Sequence, residues 1–208
     1  MDKKISECDF IVICAPLSEY RKIFLACNKY SKKNILITDV GSAKKDTITK
    51  ITKIKRKDIR WIPSHPIAGS EVSGPSYGNE NLFVNKWSVI IKQKYSQNKE
   101  MKRVLKFWKL LGSKTVSMDA DQHDKIFAIT SHLPHLIAYN LILTATNFKI
   151  SNKDNVLRFS AGGLRDFSRI AASNEIMWRD IFFNNKSNML KVIDLFIKNL
   201  KIFKEDIK

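Results

Sequence analysis

Two apolar, β-branched stretches, each followed by a turn and an amphipathic helix, constrain the fold of this 208-residue chain most strongly. DFIVICA over residues 9–15 precedes a helix predicted over 19–30. NILITDVGSAKKDTI predicts a strand over 35–39 and a helix over 43–54, and a further strand is predicted over 60–63. Continuous apolar strands that alternate with helices are typical of a parallel sheet buried on both faces. Ligands of such α/β units bind at the carboxyl ends of the strands.

The second part of the chain has a different hydrophobic period. Past about residue 120 the spacing of apolar residues is helical, and it predicts helices over 122–148, 155–169 and 174–207, with breaks near 151–154, 162–163 and 172–173. The sequence therefore predicts an α/β domain over 1–119, followed by an all-helical domain over 120–208. Three further elements complete the first domain, namely a strand over 87–92, a helix over 99–111 and a strand over 115–118.

A histidine lies at the centre of the segment WIPSHPIAGSEVSGPSYGNENLFVNKWSV, which is rich in Gly, Ser and Pro. Pro66 restricts the preceding His65 to an extended conformation, so that its imidazole is predicted at the end of a strand. Histidine is the side chain whose ordinary pKa suits proton transfer near neutral pH. Two interpretations stay open at this point, a general base and a structural histidine bonded to a backbone carbonyl.

The predicted long helix contains SHLPHLIAYNL, in which Pro134 should produce a kink. Asp124, His132 and His135 fall broadly on one side of that helix. As a zinc site the two histidines lack a third ligand and the glutamate of a hydrolase, so the sequence predicts no metal centre. A buried histidine pair with a purely structural role is the other interpretation.

Composition narrows the class of protein. The chain has 37 basic and 20 acidic residues and a net charge of +17, but no nucleic-acid-binding motif accompanies that charge, and we expect no nucleic-acid partner. Cys8, Cys14 and Cys27 have no metal-binding or disulfide spacing, which predicts free thiols in a reducing compartment. The apolar run over 10–17 is far too short to span a membrane, and acidic residues precede it, so we expect a cytoplasmic protein.

Four motifs occur in order along the chain: DVGSAKK, HPIAGSEVSGP, HD followed by SHLPH, and GGLRDFSRIAASNEIMWRDIF. In their residues and spacing they resemble the prephenate/arogenate dehydrogenase family of tyrosine biosynthesis. The resemblance implies a truncated Rossmann-like sheet followed by a helical dimerisation domain, and a homodimer. It also implies an oxidative decarboxylation, in which NAD or NADP takes hydride from the ring carbon that bears the hydroxyl, and the ring carboxylate leaves as carbon dioxide.

The resemblance also assigns roles to residues. It implies that His65 accepts the proton of the substrate hydroxyl, that Ser42 hydrogen-bonds the same hydroxyl, and that Arg169 binds a substrate carboxylate. A guanidinium fork suits a carboxylate. The other residues that it places near the substrate are His135, Glu71, Asp124, Arg165, Trp178 and Gly162, the last in a turn that reaches across the dimer. Those that it places against the cofactor are Ala15, Pro16, Leu17, Asp39, Val40 and Gly41.

One departure from the family separates two functional hypotheses. The chain has seven glycines, and no Gly-x-Gly-x-x-Gly can be written with them. About seventy residues of the dinucleotide fold would be absent, including the helix N-terminus that binds the pyrophosphate. The first hypothesis is a dehydrogenase whose remaining half lies upstream or on a partner chain. The second is a non-catalytic remnant, or a dimerising substrate-binding module, that cannot hold the dinucleotide. Neither NAD over NADP nor prephenate over arogenate is selected by the sequence.

Overall fold

A computed structural model of the chain describes residues 2–69, 74–93, 98–148 and 156–208. In its first part strands and helices alternate as α1 (Asp2–Glu7), β1 (Phe10–Ile13), α2 (Tyr20–Tyr30), β2 (Leu36–Asp39), α3 (Lys45–Ile54), β3 (Arg60–Trp61), β4 (Ser64–Pro66), β5 (Trp87–Ile91), α4 (Asn98–Leu110) and β6 (Lys114–Met118). The second part is helical, with α5 (Ala120–Phe127), a π-helical turn (Ala128–His132), α6 (Leu133–Asn147), α7 (Gly162–Ala171), α8 (Glu175–Asn184) and α9 (Lys186–Asp206).

The strands form two three-stranded sheets, in the orders β1-β2-β3 and β4-β5-β6. The predicted parallel pairing is found in β1-β2-β3 and between β5 and β6, whereas β4 pairs antiparallel with β5. In its described part, the connection from β4 to β5 contains a 3-10 turn, Pro75–Tyr77, in place of a crossover helix. Without a crossover the chain returns beside β4 in the opposite direction.

Hydroxyl groups join the two sheets where β2 passes β4. The Thr38 hydroxyl donates to the carbonyl oxygen of Ile62 at 2.7 Å and lies 2.8 Å from the Ser64 hydroxyl. The indole N–H of Trp108 in α4 donates to the Ser64 hydroxyl at 2.9 Å. All of these side chains are buried, so the carboxyl end of β2 is held firmly against β4.

The core of the α/β part lies between the first sheet and helices α2 and α3. Ile13, Phe24, Ile37 and Trp61 are buried there, and the rings of Phe24 and Trp61 meet edge to face with centroids 4.9 Å apart. Burying side chains of this size stabilises a fold by about 1.5–3 kcal/mol each. The continuous apolar character of β1 and β2 is explained by this packing, because helices cover the sheet.

The helical part departs from the prediction in three places. The long helix predicted over 122–148 contains the π-helical turn, which precedes Pro134, a residue without a backbone N–H to continue the regular α-helical bonds. The segment predicted as helical over 155–169 divides near the predicted break at Gly162-Gly163, but the part before the break is a 3-10 turn, Val156–Phe159, and α7 begins at Gly162. The helix predicted over 174–207 is broken at Asn185, whose buried side chain bonds to α5.

The helices after residue 120 expose many large apolar side chains. In α9 they include Leu195, Ile197, Leu200, Ile202 and Phe203, each about half exposed or more. Large exposed apolar patches are typical of interaction sites. The stretch Ala120–Asn147 is by length and composition apolar enough to cross a membrane. Its most apolar window is 22% buried, and the stretch also contains the buried side chains of His123, Asp124 and His132.

Candidate active site

His65 lies in the short strand β4, in register with Val89 of β5. Only 7% of its surface is exposed, and its ring packs edge to face on Phe127 with centroids 4.8 Å apart. The extended backbone imposed by Pro66 is therefore that of a paired strand. The strand and the ring packing fix the position of the imidazole before any hydrogen bond is considered.

A line of hydrogen bonds runs from His65 into the start of the helical part. Its Nδ1 lies 2.8 Å from Nε2 of His123, and Nδ1 of His123 lies 2.8 Å from Oδ1 of Asp124. The Asp124 carboxylate accepts bonds from the backbone N–H groups of Lys44 and Lys45, at 2.9 and 2.8 Å. His123 and Asp124 are almost completely buried. The sheet histidine, helix α5 and the first turn of α3 are thus tied together at one place.

The end of β2 is organised around a second buried carboxylate, that of Asp39. It accepts hydrogen bonds from the Tyr20 hydroxyl, from the backbone N–H of Gly41 and from the Trp61 indole, at 2.9, 3.0 and 3.1 Å. The ammonium group of Lys44 lies 2.5 Å from Asp39 Oδ2 and from the carbonyl oxygen of Ser64. Since Ser64 precedes His65, this buried cation links the β2–α3 loop to the histidine strand.

Burial dominates the electrostatics of the imidazoles. It lowers the pKa of His65 well below its usual range, and the nearby His123 and Lys44 lower it further. It also lowers the pKa of His123, although the hydrogen bond to Asp124 opposes that shift. An imidazole whose pKa lies well below 7 is neutral at pH 7. His65 is accordingly in the form that can accept a proton.

His132 and His135 serve the helical side of the site. The Asn185 side-chain amide lies 3.2 Å from Nδ1 of His132 and donates to the carbonyl oxygen of Asp124 at 2.7 Å. His135 donates from Nδ1 to the carbonyl oxygen of Ser131 at 3.0 Å, and its ring stacks on Trp178. The π-helical turn lies between Asp124 and His135 and sets their relative orientation.

The predicted substrate residues are only partly gathered here. Asp124 joins the hydrogen-bonded line from His65, and half-buried Ser42 lies close enough to His132 for its main chain to affect the pKa of that imidazole. His135 and Trp178 contact each other. Glu71 lies outside the described residues. The three predicted residues in α7, which packs against α6, are exposed: Gly162, Arg165 and Arg169.

The predicted cofactor residues lie on two neighbouring loops at the carboxyl ends of β1 and β2. Ala15, Leu17 and Val40 are half-buried and Pro16 is exposed. The loops approach so closely at Gly41 that an added Cβ would stand 2.7 Å from Leu17 Cδ2 and from the Tyr20 hydroxyl. The Asp39 carboxylate is fully buried beneath these loops. A ligand at this edge would therefore contact the residues around Asp39, and the carboxylate itself would fix the two loops in place.

Residues that sequence reasoning missed include His123, Lys44 and Asn185. His123 is the first residue of the HD pair. The sequence indicates a role for the aspartate of that pair only, because a histidine that hydrogen-bonds to a distant histidine has no local sequence signature. A fully buried lysine such as Lys44 is rare. The sequence feature that could have indicated it is Asp39, its ion-pair partner five positions earlier. In the described ranges there is no group of three or more His, Cys, Asp and Glu residues placed to hold a metal ion.

A parallel α/β unit with a buried neutral histidine at its carboxyl edge, followed by a helical domain with an apolar surface, defines the class of two-domain dehydrogenases of the dinucleotide-binding fold. Within that class, residues 1–117 match the family described as "Prephenate dehydrogenase, nucleotide-binding domain". Residues 119–208 match "Prephenate dehydrogenase, dimerization domain". The chain belongs to the prephenate dehydrogenase family.

Individual relatives agree with this assignment. The crystal structure of prephenate dehydrogenase from Aquifex aeolicus in complex with hydroxyphenyl propionate and NAD+ superposes with a TM-score of 0.91, at 34% identity, over 99% of this chain and 70% of that one. Cyclohexadienyl dehydrogenase of Zymomonas mobilis is 33% identical over 95% of this chain. Prephenate dehydrogenase of Bacillus subtilis is 30% identical over 94% of it.

The chain spans only part of these relatives. It covers 67% of the Zymomonas protein and 53% of the Bacillus protein. The matched part contains the histidine strand, the β2–α3 loop and the helices over residues 119–208.

Proposed function

We propose that this chain carries the proton-accepting and substrate-binding part of an NAD(P)-dependent prephenate or arogenate dehydrogenase. The observation that carries the proposal is the buried, neutral His65 at the carboxyl edge of the sheet, beside the loop of Ser42. The proposal is supported by the two ligands bound in the Aquifex relative, which are NAD+ and hydroxyphenyl propionate. Hydroxyphenyl propionate is a ring compound similar to the expected product.

The residues present fit one part of a dinucleotide. The loops after β1 and β2 meet closely at Gly41, at the carboxyl edge where ligands of such sheets bind. The Gly-rich turn that binds a pyrophosphate is not found in these 208 residues. The chemistry supplied by NAD or NADP, when bound, is acceptance of a hydride.

The residues of the chain account for the remaining chemistry. His65 takes the proton from the substrate hydroxyl, so that the O–H electron pair forms the carbonyl as hydride leaves the same carbon. The bond to the ring carboxylate then breaks, carbon dioxide departs, and the electron pair restores the aromatic ring. The oxygen regains a proton and becomes a phenol. Arg169 binds a carboxylate of the substrate, Ser42 bonds the reacting hydroxyl, and His135 stacked on Trp178 borders the ring.

The exposed apolar surface of α6 to α9 supports a homodimer, with a second copy of this chain as the partner that covers it. A C2 dimer pairs the same surface on both copies, so apolar residues along α9 bury each other. We further propose that the protein acts in the cytoplasm on a small anionic substrate, without a nucleic-acid partner or a membrane. The net charge of +17 then serves to attract that anion.

Turnover by the chain joined to the Gly-rich half of a dinucleotide-binding fold tests the proposal. Incubation of that protein with prephenate or arogenate and NAD or NADP should yield reduced dinucleotide and carbon dioxide in equal amounts. Replacing His65 by Asn should lower kcat by about 10²–10⁴-fold, the usual share of a general base. Retention of the full rate by His65→Asn would remove His65 from the base role.

A non-catalytic, substrate-binding module is the competing function. It predicts prephenate binding by calorimetry without dinucleotide binding, and tight binding of NAD or NADP to this chain would exclude it. The matched control is Trp87→Leu, an exposed change on the α/β part that should alter neither affinity.

A further inference from the structure

The direction of each hydrogen bond behind His65 follows from the groups at its far end. The Asp124 carboxylate already accepts two backbone N–H bonds, and a carboxylate has no proton to donate. The bond to His123 Nδ1 must therefore be donated by the imidazole. A neutral imidazole carries one N–H, so Nε2 of His123 is an acceptor.

The same reasoning continues to His65. Because His123 presents a lone pair at Nε2, the 2.8 Å bond between the two histidines is donated by Nδ1–H of His65. The lone pair of His65 is then on Nε2. An imidazole side chain in water prefers the opposite tautomer, with its proton on Nε2, so the arrangement needs a partner that enforces it.

We propose that His123 and Asp124 are positioning residues, which hold His65 in the Nδ1–H tautomer and aim its Nε2 lone pair at the substrate hydroxyl. The proposal rests on the proposed function of His65 and assigns it a relay of two buried side chains. Both residues are almost completely buried, and in this role they act through His65. A comparable orienting role is played by the aspartate of serine-protease triads, where the wrong tautomer costs most of the rate.

Packing around the relay supports a fixed orientation. Phe127 contacts both rings, with centroids 4.8 Å from His65 and 4.5 Å from His123. The Asp124 oxygens are held by the backbone of the first residues of α3, which cannot rotate away. Asn185 in turn donates to the Asp124 carbonyl oxygen, which anchors the relay to the helical domain.

The chain offers a matched pair of substitutions. In His123→Gln the amide oxygen occupies the place of Nε2 and accepts the bond from His65. In His123→Leu the volume is kept, but the acceptor is lost. Nitrogen-15 NMR of the imidazoles in the 208-residue chain reads the tautomer directly, without substrate or dinucleotide.

Wild-type protein and His123→Gln should show a protonated Nδ1 and an unprotonated Nε2 at His65. His123→Leu should move the proton to Nε2. Where turnover is measurable, kcat should fall about 10–100-fold in His123→Leu with KM unchanged, and His123→Gln should recover most of it. A wild-type His65 protonated on Nε2 would overturn the proposal, as would an unchanged tautomer in His123→Leu. If His123→Leu does not fold, the wild-type spectrum alone decides. A failure of turnover with the tautomer as expected would reject the proposed function and leave the relay intact.

Discussion

The imidazole of His135 lies flat against the indole of Trp178, with the ring centroids 3.5 Å apart and the planes inclined by 21°. The contact joins α6 to α8, and it places a half-buried polar ring on a nearly buried apolar one. An aromatic pair of this kind contributes about 0.5–1.5 kcal/mol beyond the area that it buries. The same contact therefore stabilises the helical domain and orients a predicted substrate residue.

Replacing Trp178 by Leu should lower the free energy of unfolding by about 2–4 kcal/mol, since both a large buried side chain and the stack are lost. Trp178→Phe keeps a ring under His135 and should cost less. Urea unfolding measures both. The control is Trp87→Leu, because Trp87 is 52% exposed and its loss should be nearly neutral. Equal costs at the two positions would contradict the role of the stack.

Lys44→Met should destabilise the fold by about 3–5 kcal/mol, because it leaves the buried carboxylate of Asp39 without its cation. The double variant with Asp39→Asn removes both charges and should recover part of that loss. A double-mutant cycle from thermal or urea unfolding measures the coupling. Costs that simply add would show that the pair does not act as a unit.

The free energy of unfolding should fall as the pH is lowered from about 6.5 to 4. Burial lowers the pKa of His132 from 6.5 to about 4, and it lowers those of His65, His123 and His135 as well. In this window the unfolded chain binds more protons than the folded one, so the stability contributed by the neutral imidazoles is complete above pH 6.5 and is lost towards pH 4. The slope reaches about 1.4 kcal/mol per pH unit for each histidine that titrates.

Urea unfolding between pH 7.5 and 5 measures this dependence. His132→Gln should flatten the curve by the share of that residue. Asp121, with a pKa of about 2, exchanges its proton below this range and does not contribute. A free energy of unfolding that is constant from pH 7.5 to 5 would be incompatible with the lowered pKa values.

Gly41→Ala should destabilise the protein by about 1–3 kcal/mol, because the new Cβ would overlap Leu17 and the Tyr20 hydroxyl at 2.7 Å. The matched control is Gly163→Ala in α7, where an added Cβ meets nothing within 4 Å. That change should stabilise the helix by up to about 1 kcal/mol. Thermal unfolding compares the two, and an order opposite to this one would refute the close loop contact.

Ile202→Lys should shift the protein from dimer to monomer, since each C2 interface would bury the new ammonium twice. We expect the dissociation constant of the dimer to rise at least about tenfold. The control is Leu110→Lys in α4, at a side chain that is 76% exposed on the α/β part. Light scattering after size-exclusion chromatography reports both masses. A dimer that survives Ile202→Lys but dissociates in Leu110→Lys would place the interface elsewhere.

Local patterns were sufficient for most strands and helices of the α/β part. The apolar runs at β1 and β2 and the period of α4 depend on nearby residues, and their elements are where the sequence predicted them. Helix α1 and strand β4 were not predicted, and the direction of β4 against β5 depends on how a long connection returns, which no local pattern encodes. The break at Asn185 likewise follows from its bond to α5, a helix distant in sequence.

The sequence predicted which residues belong to the site, but it did not predict the hydrogen bonds that connect them. Motifs indicated His65 and Asp124. They did not indicate His123, which bonds to both residues and lies far from His65 in the sequence. Asp39 was expected at the cofactor, but its oxygens are occupied by Tyr20, Gly41, Lys44 and Trp61. Such saturation becomes visible only when distant segments are brought together.

The π-helical turn is the place where the long helical segment can absorb a change in length. A turn of this kind holds one residue more than the α-helical turn that it replaces. Deleting one residue within Ala128–His132 would let the turn close as regular α-helix and keep His135 against Trp178. The same deletion in a regular turn of the segment would rotate everything downstream by about 100° and draw it back by about 1.5 Å. Changes of one residue in length should therefore be accepted at this turn during evolution and excluded from the regular turns on either side.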